Sequence, residues 1–495
     1  MNECAQVSVA LNLDTSLHQW MTRGGDARIV LDPATGLNRY SSAPFPRDVL
    51  AFASSTANDL GEDADKWLRA RFPQGAAHLE DGGAYAECLN ELRGTIRAAY
   101  GLDSDIDVFF APSGTDLEYI GLLAVDGRRQ GGVVNHLLGA DEVGSGCIFS
   151  AAGAYFAQET ALGMAVMPGE PVAGLGPVTM ADTPVRCEAG EAFESRMLAT
   201  DFASSIQETL ATDRYPLVHV VHGSKTGLVL PNLDDVDALK FRFGEDVCFV
   251  VDACQARITS EAIRAYLSRG MIVFVTGSKF MGGPPFSGFA LLPPGIVSGA
   301  APLARGMAQI FRRAEVPVGW AGREICKDTG NPGLALRLSA SLFELARFQA
   351  LPIERVARVV RAFTLATDRL ASLLDVRKVA SVPLADADEA SGYTIEMLTL
   401  VTLDLCHATD GALIRLLALE DAGRIHAALI AEGIRLGQPV RCVRLAGDRW
   451  GATLRIGLSM PQIVMLDALD DTALAQWFEI RSGRIGEALH SHLAA

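Results

Sequence analysis

The sequence lacks the features that mark nucleic-acid-binding and membrane-spanning proteins. Acidic residues (59) outnumber lysine and arginine (43), and the formal net charge is −16, whereas nucleic-acid binders carry a basic patch or stripe. No stretch reaches the roughly 18 consecutive apolar residues of a membrane span. The first twenty residues have neither a basic region nor a long apolar core, so we expect no signal peptide. We therefore expect no nucleic-acid partner, no membrane partner and a cytoplasmic location.

Disulfide and metal-binding patterns are also missing. None of the nine cysteines forms a Cys-x-x-Cys pair, and the nine histidines include no His-Glu-x-x-His motif. An odd number of irregularly spaced cysteines is typical of reduced thiols in a cytoplasmic protein. The sequence therefore predicts no disulfide framework and no metal site.

What the sequence does contain is an alternation of short apolar runs with helical stretches. Continuous runs of this kind are typical of parallel strands that are covered on both faces, and their alternation with helices predicts an α/β fold. Leucines at helical spacing between 334 and 374 resemble a long connecting helix. We place an N-terminal arm and part of a small domain in 1–84, a large domain in 85–350, and a C-terminal small domain in 351–495. The apolar runs are 107–110, 133–138, 217–221, 247–251, 271–275 and 286–292.

Ligands bind at the carboxyl ends of strands in open α/β sheets, so the segments that follow these runs are the places to search. Ser113, Gly114 and Thr115 follow the first run and lead into a helix. Hydroxyl and backbone N–H groups at a helix N-terminus can bind an anion, although the same residues also serve as an ordinary helix cap.

Three further runs end in polar residues. The segment His222-Gly-Ser-Lys-Thr-Gly227 fails the P-loop pattern, because Ser224 separates the glycine from Lys225. Asp252 ends a buried run, where a carboxylate needs a cation or a strong donor, unless it caps the next helix. Lys279 ends another run and either enters the same crevice as a nucleophile or extends to solvent. An anion cradle, a buried Asp and then a Lys, in this order, are what pyridoxal 5′-phosphate (PLP) needs for its phosphate, ring nitrogen and aldehyde.

The segments Val-Asp-Ala-Cys-Gln (251–255) and Thr-Gly-Ser-Lys (276–279) resemble those of fold-type-I PLP-dependent enzymes, in the class V aminotransferase and cysteine desulfurase branch. The resemblance covers 85–350 well and the C-terminal part loosely. It implies PLP-dependent transferase fold type I, with a large, mostly parallel, seven-stranded sheet domain and a smaller α+β domain. It also implies PLP as cofactor, an α-amino acid as substrate, external-aldimine and quinonoid intermediates, and a homodimer.

Carried over by position, Lys279 would hold PLP as a Schiff base and move the α-proton. Asp252 would keep the pyridine nitrogen protonated. Gln255 would hydrogen-bond the ring 3-oxygen, with Ser224 near the same atom, and Arg455 would bind the substrate α-carboxylate. The residues expected to hold the phosphate are Ser113, Gly114, Thr115, Thr276 and Ser278.

The sequence departs from the family pattern in two places. Many relatives stack an aromatic residue or a histidine on the PLP ring, but Val143 lies nearest to that position here. The partner subunit of relatives often contributes a hydroxyl to the phosphate, and Thr329 or Asn331 lies in the matching stretch. In the arm, Asn38 and Tyr40 are candidate substrate contacts, although a simple turn explains them equally well.

The reaction stays open at this level. Transamination is the default that the resemblance implies. Desulfuration needs a nucleophilic cysteine on a mobile loop. Cys326 and Cys406 follow Lys279 by 47 and 127 residues, and Cys406 has roughly the right separation but ends an apparent strand. Elimination or replacement at Cβ or Cγ, including carbon–carbon bond formation in a biosynthetic pathway with a donor such as S-adenosylmethionine, is a further alternative. A catalytically silent scaffold on the same fold is the least favoured, because Lys279 is present.

Overall fold

A computed structural model describes residues 17–140, 142–144, 147–188, 190–381, 395–406, 409–410, 413–414, 416–447 and 449–494. The strands are β1 (Leu50–Phe52), β2 (Asp107–Ala111), β3 (Val133–Leu138), β4 (Val178–Thr183), β5 (Tyr215–His222), β6 (Val229–Leu230), β7 (Cys248–Ala253), β8 (Ile272–Thr276), β9 (Gly288–Leu292), β10 (Arg377–Lys378), β11 (Leu400–Asp404), β12 (Thr409–Asp410), β13 (Leu413–Ile414), β14 (Ile434–Leu436), β15 (Arg444–Leu445), β16 (Arg449–Trp450) and β17 (Thr453–Gly457).

The helices flank the strands in the order that the sequence alternation predicts. They are α1 (Leu17–Trp20), α2 (Glu62–Arg71), α3 (Gly82–Tyr100), α4 (Leu117–Val125), α5 (Cys147–Ala151), α6 (Ser195–Ala211), α7 (Leu233–Phe243), α8 (Ser260–Leu267), α9 (Ile296–Gly299), α10 (Pro332–Gln349), α11 (Ile353–Leu373), α12 (Leu419–Ala431), α13 (Met460–Asp467) and α14 (Asp471–Ala494). Among these described helices, none has the length and hydropathy that crossing a membrane would require.

One large sheet carries the strand ends that matter for function. Its strands lie in the order β2-β9-β8-β7-β5-β3-β4, and the two-residue β6 pairs with β5 outside this path. Strands β3, β4, β5, β7 and β8 run parallel to one another, while β9 is antiparallel to both β2 and β8. All eight residues of β5 are buried, as expected for a strand covered on both faces. The predicted α/β class with a mostly parallel, seven-stranded sheet is confirmed.

Edge strand β4 has no counterpart among the predicted runs. Its sequence, Val-Thr-Met-Ala-Asp-Thr, mixes apolar and polar residues, and none of the six is buried. A strand at the edge of a sheet has a neighbour on one side only and does not need a continuous apolar run. The apolar pattern therefore gives no signal for it.

Two helices replace the predicted long connecting helix. Helix α10 ends at Gln349 and α11 begins at Ile353, with Pro352 as its N-cap residue. Proline has no N–H to donate and disfavours helical geometry in the residue before it, so the helix cannot run through this point.

The C-terminal part forms a smaller α+β unit to which the arm contributes a strand. Strands β10, β11 and β17 form an antiparallel sheet, and β1 of the arm pairs in parallel with β14. This pairing accords with a small domain assembled from both ends of the chain. The limits at residues 84 and 350 stay a prediction.

Candidate active site

A cavity of about 290 Å³ lies where the carboxyl ends of β5, β7 and β8 meet the turn after β2. The arm and the C-terminal unit line its other sides. Eleven of the thirteen predicted site residues line it, and so does Val143. These eleven are Tyr40, Ser113, Gly114, Thr115, Ser224, Asp252, Gln255, Thr276, Ser278, Lys279 and Arg455.

The turn between β2 and α4 leaves space for a ligand at a helix N-terminus. A Cβ on Gly114 would lie 2.9 Å from Thr276 Cγ2, so a side chain there would crowd the wall of the cavity. Ser113 Oγ donates a hydrogen bond to Asp116 Oδ2 at 2.6 Å. Burial raises the pKa of Asp116 to about 7, although the Ser113 hydrogen bond lowers it. Backbone N–H groups and hydroxyls around a glycine at this position suit an anion.

Hydroxyl groups continue this wall on the β8 side. Thr276 Oγ1 donates to Cys254 O at 2.8 Å and accepts from Ser278 Oγ at 3.2 Å. The polar wall is therefore built from the ends of two strands and the turn after a third, as the sequence predicts.

Arg28 is a cation at this wall that sequence reasoning missed. It comes from the arm, and its Nη1 donates to Thr115 Oγ1 at 3.2 Å. Its guanidinium pairs with Asp26 and lies over the rings of Phe286 and Phe156, 4.8 and 5.0 Å from their centroids. A single Asp-Ala-Arg segment in a turn-rich region carries no motif from which this role could be inferred.

Arg337 holds the arm in this place. This fully buried arginine on α10 donates to the carbonyl oxygens of Met21, Arg23, Gly24 and Phe286 at 2.8–3.1 Å. These bonds tie residues 21–24 of the arm to α10 and to Phe286. The ring of Phe286 in turn contacts the Arg28 guanidinium.

Asp252 and Lys279 end neighbouring strands and face the same cavity. Asp252 Oδ1 accepts the Cys254 N–H at 2.9 Å. The carbonyl of Lys279 accepts from Asn58 Nδ2 at 2.7 Å, which holds the turn in place from the arm. Within the described ranges, the Lys279 amine makes no hydrogen bond or ion pair with another side chain, and it is partly exposed to the cavity.

Two buried ionisable side chains, Glu118 and His219, lie beside Asp252. Glu118 lines the cavity, and its Oε2 lies 3.5 Å from His219 Nε2, with both side chains 3% exposed. Burial raises the pKa of Glu118 well above its usual range, and the Asp252 charge adds to this shift. Burial lowers the pKa of His219 to about 4. Both shifts favour the neutral forms of these two side chains.

Gln255 and Ser224 lie at the cavity but already hold other partners. Gln255 Oε1 accepts from Arg257 Nη1 at 2.7 Å, and its Nε2 donates to Ser55 O at 3.3 Å. Ser224 Oγ donates to Glu142 Oε2 at 2.8 Å. One N–H of the Gln255 amide is left for a ligand.

Arg455, on β17, is buried at the far side of the cavity. Its guanidinium donates to the carbonyls of Gln438, Ser55 and Lys225 and to Thr56 Oγ1, at 3.0–3.3 Å. Within the described part of the chain, no carboxylate lies at ion-pair distance from it, and burial lowers its pKa to about 10. This cation fits an anionic ligand group, although four of its five N–H donors already have acceptors.

Lys225 is a second lysine in the cavity. The sequence marks its segment only as a failed P-loop, and the predicted site did not include it. Its signal is the Gly-Ser-Lys tripeptide at a strand end, which it shares with Lys279.

The structure does not bring Asn38 or Asn331 to the cavity. Asn38 Oδ1 accepts from the backbone N–H groups of Tyr40 and Ser42 and from Ser42 Oγ, so this side chain closes its own turn. Asn331 caps α10 through the Leu334 N–H and donates to Gly24 O. Both side chains thus satisfy local backbone groups, as polar side chains in turns commonly do. The site roles of both stay predictions, and that of Asn331 concerns the site of a partner subunit.

The two cysteines considered for desulfuration also lie away from the cavity. Cys326 is 1% exposed in the apolar layer beneath the sheet, and Cys406 is fully buried, with its thiol donating to Ala452 O. Cys147 and Cys254 line the cavity instead. Burial raises the pKa of both thiols well above the usual range, which disfavours the thiolate that a nucleophile needs.

Comparisons with known proteins show which fold this chain shares. No protein-family model and no curated protein sequence matches the chain. Among solved structures, 653 chains match. One is a NifS-like protein, with a TM-score of 0.52 and 13% identity, covering 89% of this chain and 100% of that one. Another is a lysine-to-alanine mutant of C-DES with glycine covalently linked to its PLP cofactor, with a TM-score of 0.53 and 15% identity, covering 88% and 96%.

At such low identity the likeness shows the fold alone. The chain has the fold of type I PLP-dependent enzymes, to which these structural neighbours belong. The predicted fold class is confirmed, and the chemistry must be argued from the cavity.

Proposed function

We propose that the protein is a PLP-dependent enzyme that acts on an α-amino acid, in the manner of an aminotransferase, with Lys279 as the covalent anchor of the cofactor. The observation that carries the proposal is the arrangement of three groups in one cavity. The first group is the Lys279 amine, which has no hydrogen-bond partner in the described chain. The second is the Asp252 carboxylate at a strand end, and the third is the hydroxyl-lined turn at the N-terminus of α4.

The residues present fit this cofactor group by group. Gly114, which has no side chain to fill the space, and the N-terminus of α4 suit a phosphate. Arg28 adds a cation beside Thr115. Asp252, beside Glu118 and His219, whose burial favours their neutral forms, suits a protonated ring nitrogen.

PLP, when bound, draws electrons away from the bonds of the amino-acid α-carbon. The protein's own residues would supply the other roles. Asp252 would hold a proton on the ring nitrogen, and Gln255 would offer its remaining N–H to the ring 3-oxygen, with Ser224 beside it. The Lys279 amine would remove the α-proton and return it to a neighbouring carbon. The arm and the C-terminal unit exclude water from these groups.

Arg455 is the proposed binding group for the substrate α-carboxylate. A buried guanidinium without a carboxylate partner in the described chain gains most from an anion, because the low-dielectric surroundings strengthen the attraction. Fixing the carboxylate there sets which α-carbon bond faces Lys279.

Transamination is favoured over desulfuration by the positions of the cysteines. Neither Cys326 nor Cys406 reaches the cavity, and burial disfavours the thiolates of Cys147 and Cys254. Elimination or replacement stays the second candidate. A single-turnover assay separates the two: transamination releases one oxo acid per site and stops without a second oxo acid, whereas elimination continues and releases ammonia.

We further propose that the enzyme is a cytoplasmic homodimer. The eight cysteines that the structure describes are all free thiols, which accords with a reducing compartment. Exposed apolar residues on α5 and on the segment after it, among them Phe149 and Met167, are candidates for the subunit contact. Light scattering on the purified protein tests the dimer, which a monomeric mass would exclude.

The cofactor assignment is tested by spectroscopy on the purified protein. Wild type reconstituted with PLP should show a visible absorbance band, and borohydride reduction followed by peptide mass spectrometry should locate the cofactor on Lys279. Lys279→Ala should lose both signals, whereas Lys225→Ala, the matched control, should keep them. A wild-type protein that binds no PLP after reconstitution would disprove the proposal.

A further inference from the structure

The segment that carries Lys225 is a rigid turn. The N–H groups of Gly223 and Ser224 both donate to Leu228 O, at 2.9 and 3.0 Å, and the Gly227 N–H donates to Ser224 O at 3.0 Å. Gly223 and Gly227 have φ angles of +81° and +94°, which favour glycine. The turn thus reverses the chain between β5 and β6 and presents Lys225 at its tip.

A buried carboxylate fixes this turn to the wall of the cavity. Glu142 accepts hydrogen bonds from Ser224 Oγ and from the backbone and side chain of Thr226, at 2.8–3.2 Å. It also pairs with Arg186 Nε at 2.8 Å, with both side chains at most 7% exposed. The Lys225 N–H donates to Glu142 O at 3.1 Å. These contacts fix the backbone of the turn at Lys225.

Lys225 and Arg455 are neighbouring residues of this cavity. Arg455 Nη1 donates to the backbone carbonyl oxygen of Lys225 at 3.3 Å, and both residues line the cavity. Burial lowers the pKa of Lys225 to about 8, and the positive charge of Arg455 contributes to the shift. An anionic ligand group between or beside the two cations would relieve this repulsion.

We propose that Lys225 binds a second acidic group of the substrate while Arg455 binds the α-carboxylate, so that the enzyme selects dicarboxylic amino acids. This inference rests on the proposed PLP chemistry and deepens it by naming the substrate class. Lys225, in the turn after β5, and Arg455, within β17, give two attachment points. Two points of attachment fix the orientation of the α-carbon better than one does.

The test uses the PLP-loaded enzyme and non-reacting probes, with binding measured by calorimetry. Glutarate carries two carboxylates and butyrate one, on chains of similar size. Wild type should bind glutarate about tenfold or more tightly than butyrate, as expected for one added charge-assisted contact. Lys225→Met should reduce this ratio to about one, and Lys225→Arg, which keeps the charge, should retain most of it.

Controls separate this proposal from the proposed function. Lys327→Met changes an exposed lysine outside the cavity and should leave the ratio unchanged. The cofactor absorbance band and a melting curve, recorded for every variant, show loading and folding, and Lys225→Gln serves as a second neutral variant. If wild type carries the band but binds both probes equally, or if Lys225→Met keeps the wild-type ratio, the dicarboxylate subsite is disproved while the PLP assignment stands. A wild type without the band overturns both.

Discussion

The tripeptide Gly-Ser-Lys occurs twice in this cavity, at Gly223–Lys225 after β5 and at Gly277–Lys279 after β8. Strand β7, which ends in Asp252, lies between the two strands in the sheet. The same three residues therefore approach one carboxylate from its two sides. Their surroundings differ, and the difference indicates which lysine takes which role.

At the β5 turn the neighbours are charged. The Ser224 hydroxyl donates to the Glu142 carboxylate, which is paired with Arg186, and Arg455 contacts the Lys225 carbonyl. At the β8 turn the hydrogen-bond partners are neutral. The Ser278 hydroxyl donates to Thr276 Oγ1, and Asn58 holds the backbone. A lysine on a turn held by neutral groups suits covalent chemistry, whereas a lysine beside another cation suits anion binding.

The largest expected effect separates the two lysines by activity. Lys279→Ala should lower turnover by about 10³- to 10⁴-fold, because it removes the group that moves the α-proton. Lys225→Ala should keep the cofactor and act mainly by raising KM for a dicarboxylic substrate. Steady-state kinetics on both variants, with the cofactor content measured in each, checks this prediction. A Lys225→Ala variant that loses the cofactor while Lys279→Ala retains it would reverse the assignment of the two turns.

The second prediction compares how the two turns are held. Glu142→Gln should lower the free energy of unfolding by about 3 kcal/mol, because the buried Arg186 loses its carboxylate partner. Ser278→Ala should cost about 1 kcal/mol, since it removes one hydrogen bond between neutral hydroxyls. Urea unfolding of the apoenzyme measures both, with cofactor binding excluded from the stability.

An exposed carboxylate provides the control for that comparison. Glu62 lies 3.7 Å from Lys66 on the surface of α2, and Glu62→Gln should leave the unfolding curve where it is. If Ser278→Ala destabilises the protein as much as Glu142→Gln does, the two turns are held equally firmly and the contrast between them fails.

Much of this site could be predicted from the sequence, because the strands that build it are buried on both faces. Runs of apolar residues end in Asp252 and Lys279, and parallel strands bring their carboxyl ends together, so two separate segments predict one site. The anion-binding turn at Ser113 and Gly114 follows from the same rule. In each case the signal is local to the strand and its first turn.

The missed residues depend on contacts that are remote in sequence. Arg28 reaches Thr115 across 87 residues, and Lys225 acquires its neighbour Arg455 across 230 residues. Asn38 and Asn331 show the opposite case: both have the polar chemistry expected of a site, but local backbone groups satisfy their side chains. A single sequence does not reveal which of these two situations a polar residue in a turn will meet.

The last predicted effect concerns the charge of Lys225 and depends on pH. Burial, together with the positive charges of Arg455 and Lys279, lowers the pKa of Lys225 from its ordinary value of 10.5 to about 8, although Glu142 and Cys147 act in the opposite direction. A lysine whose pKa is lowered by folding destabilises the folded state wherever it is protonated. The penalty is present in full below pH 8 and disappears as the pH rises from 8 to about 10.5.

Lys225→Met should therefore stabilise the apoenzyme at pH 7 by about 2 kcal/mol, and this gain should vanish near pH 10.5. The exposed control Lys327→Met should show no such pH dependence. Urea unfolding at the two pH values measures the difference for each variant. If Lys225→Met destabilises the protein at pH 7 but not near pH 10.5, the ammonium group stabilises the fold, and the turn after β5 serves the structure rather than a ligand. Equal destabilisation at both pH values would contradict the predicted gain and indicate a loss of packing that does not depend on charge. A gain confined to the lower pH would instead mean that the folded enzyme tolerates an unfavourable charge at Lys225, as expected of a group that binds an anionic part of the substrate.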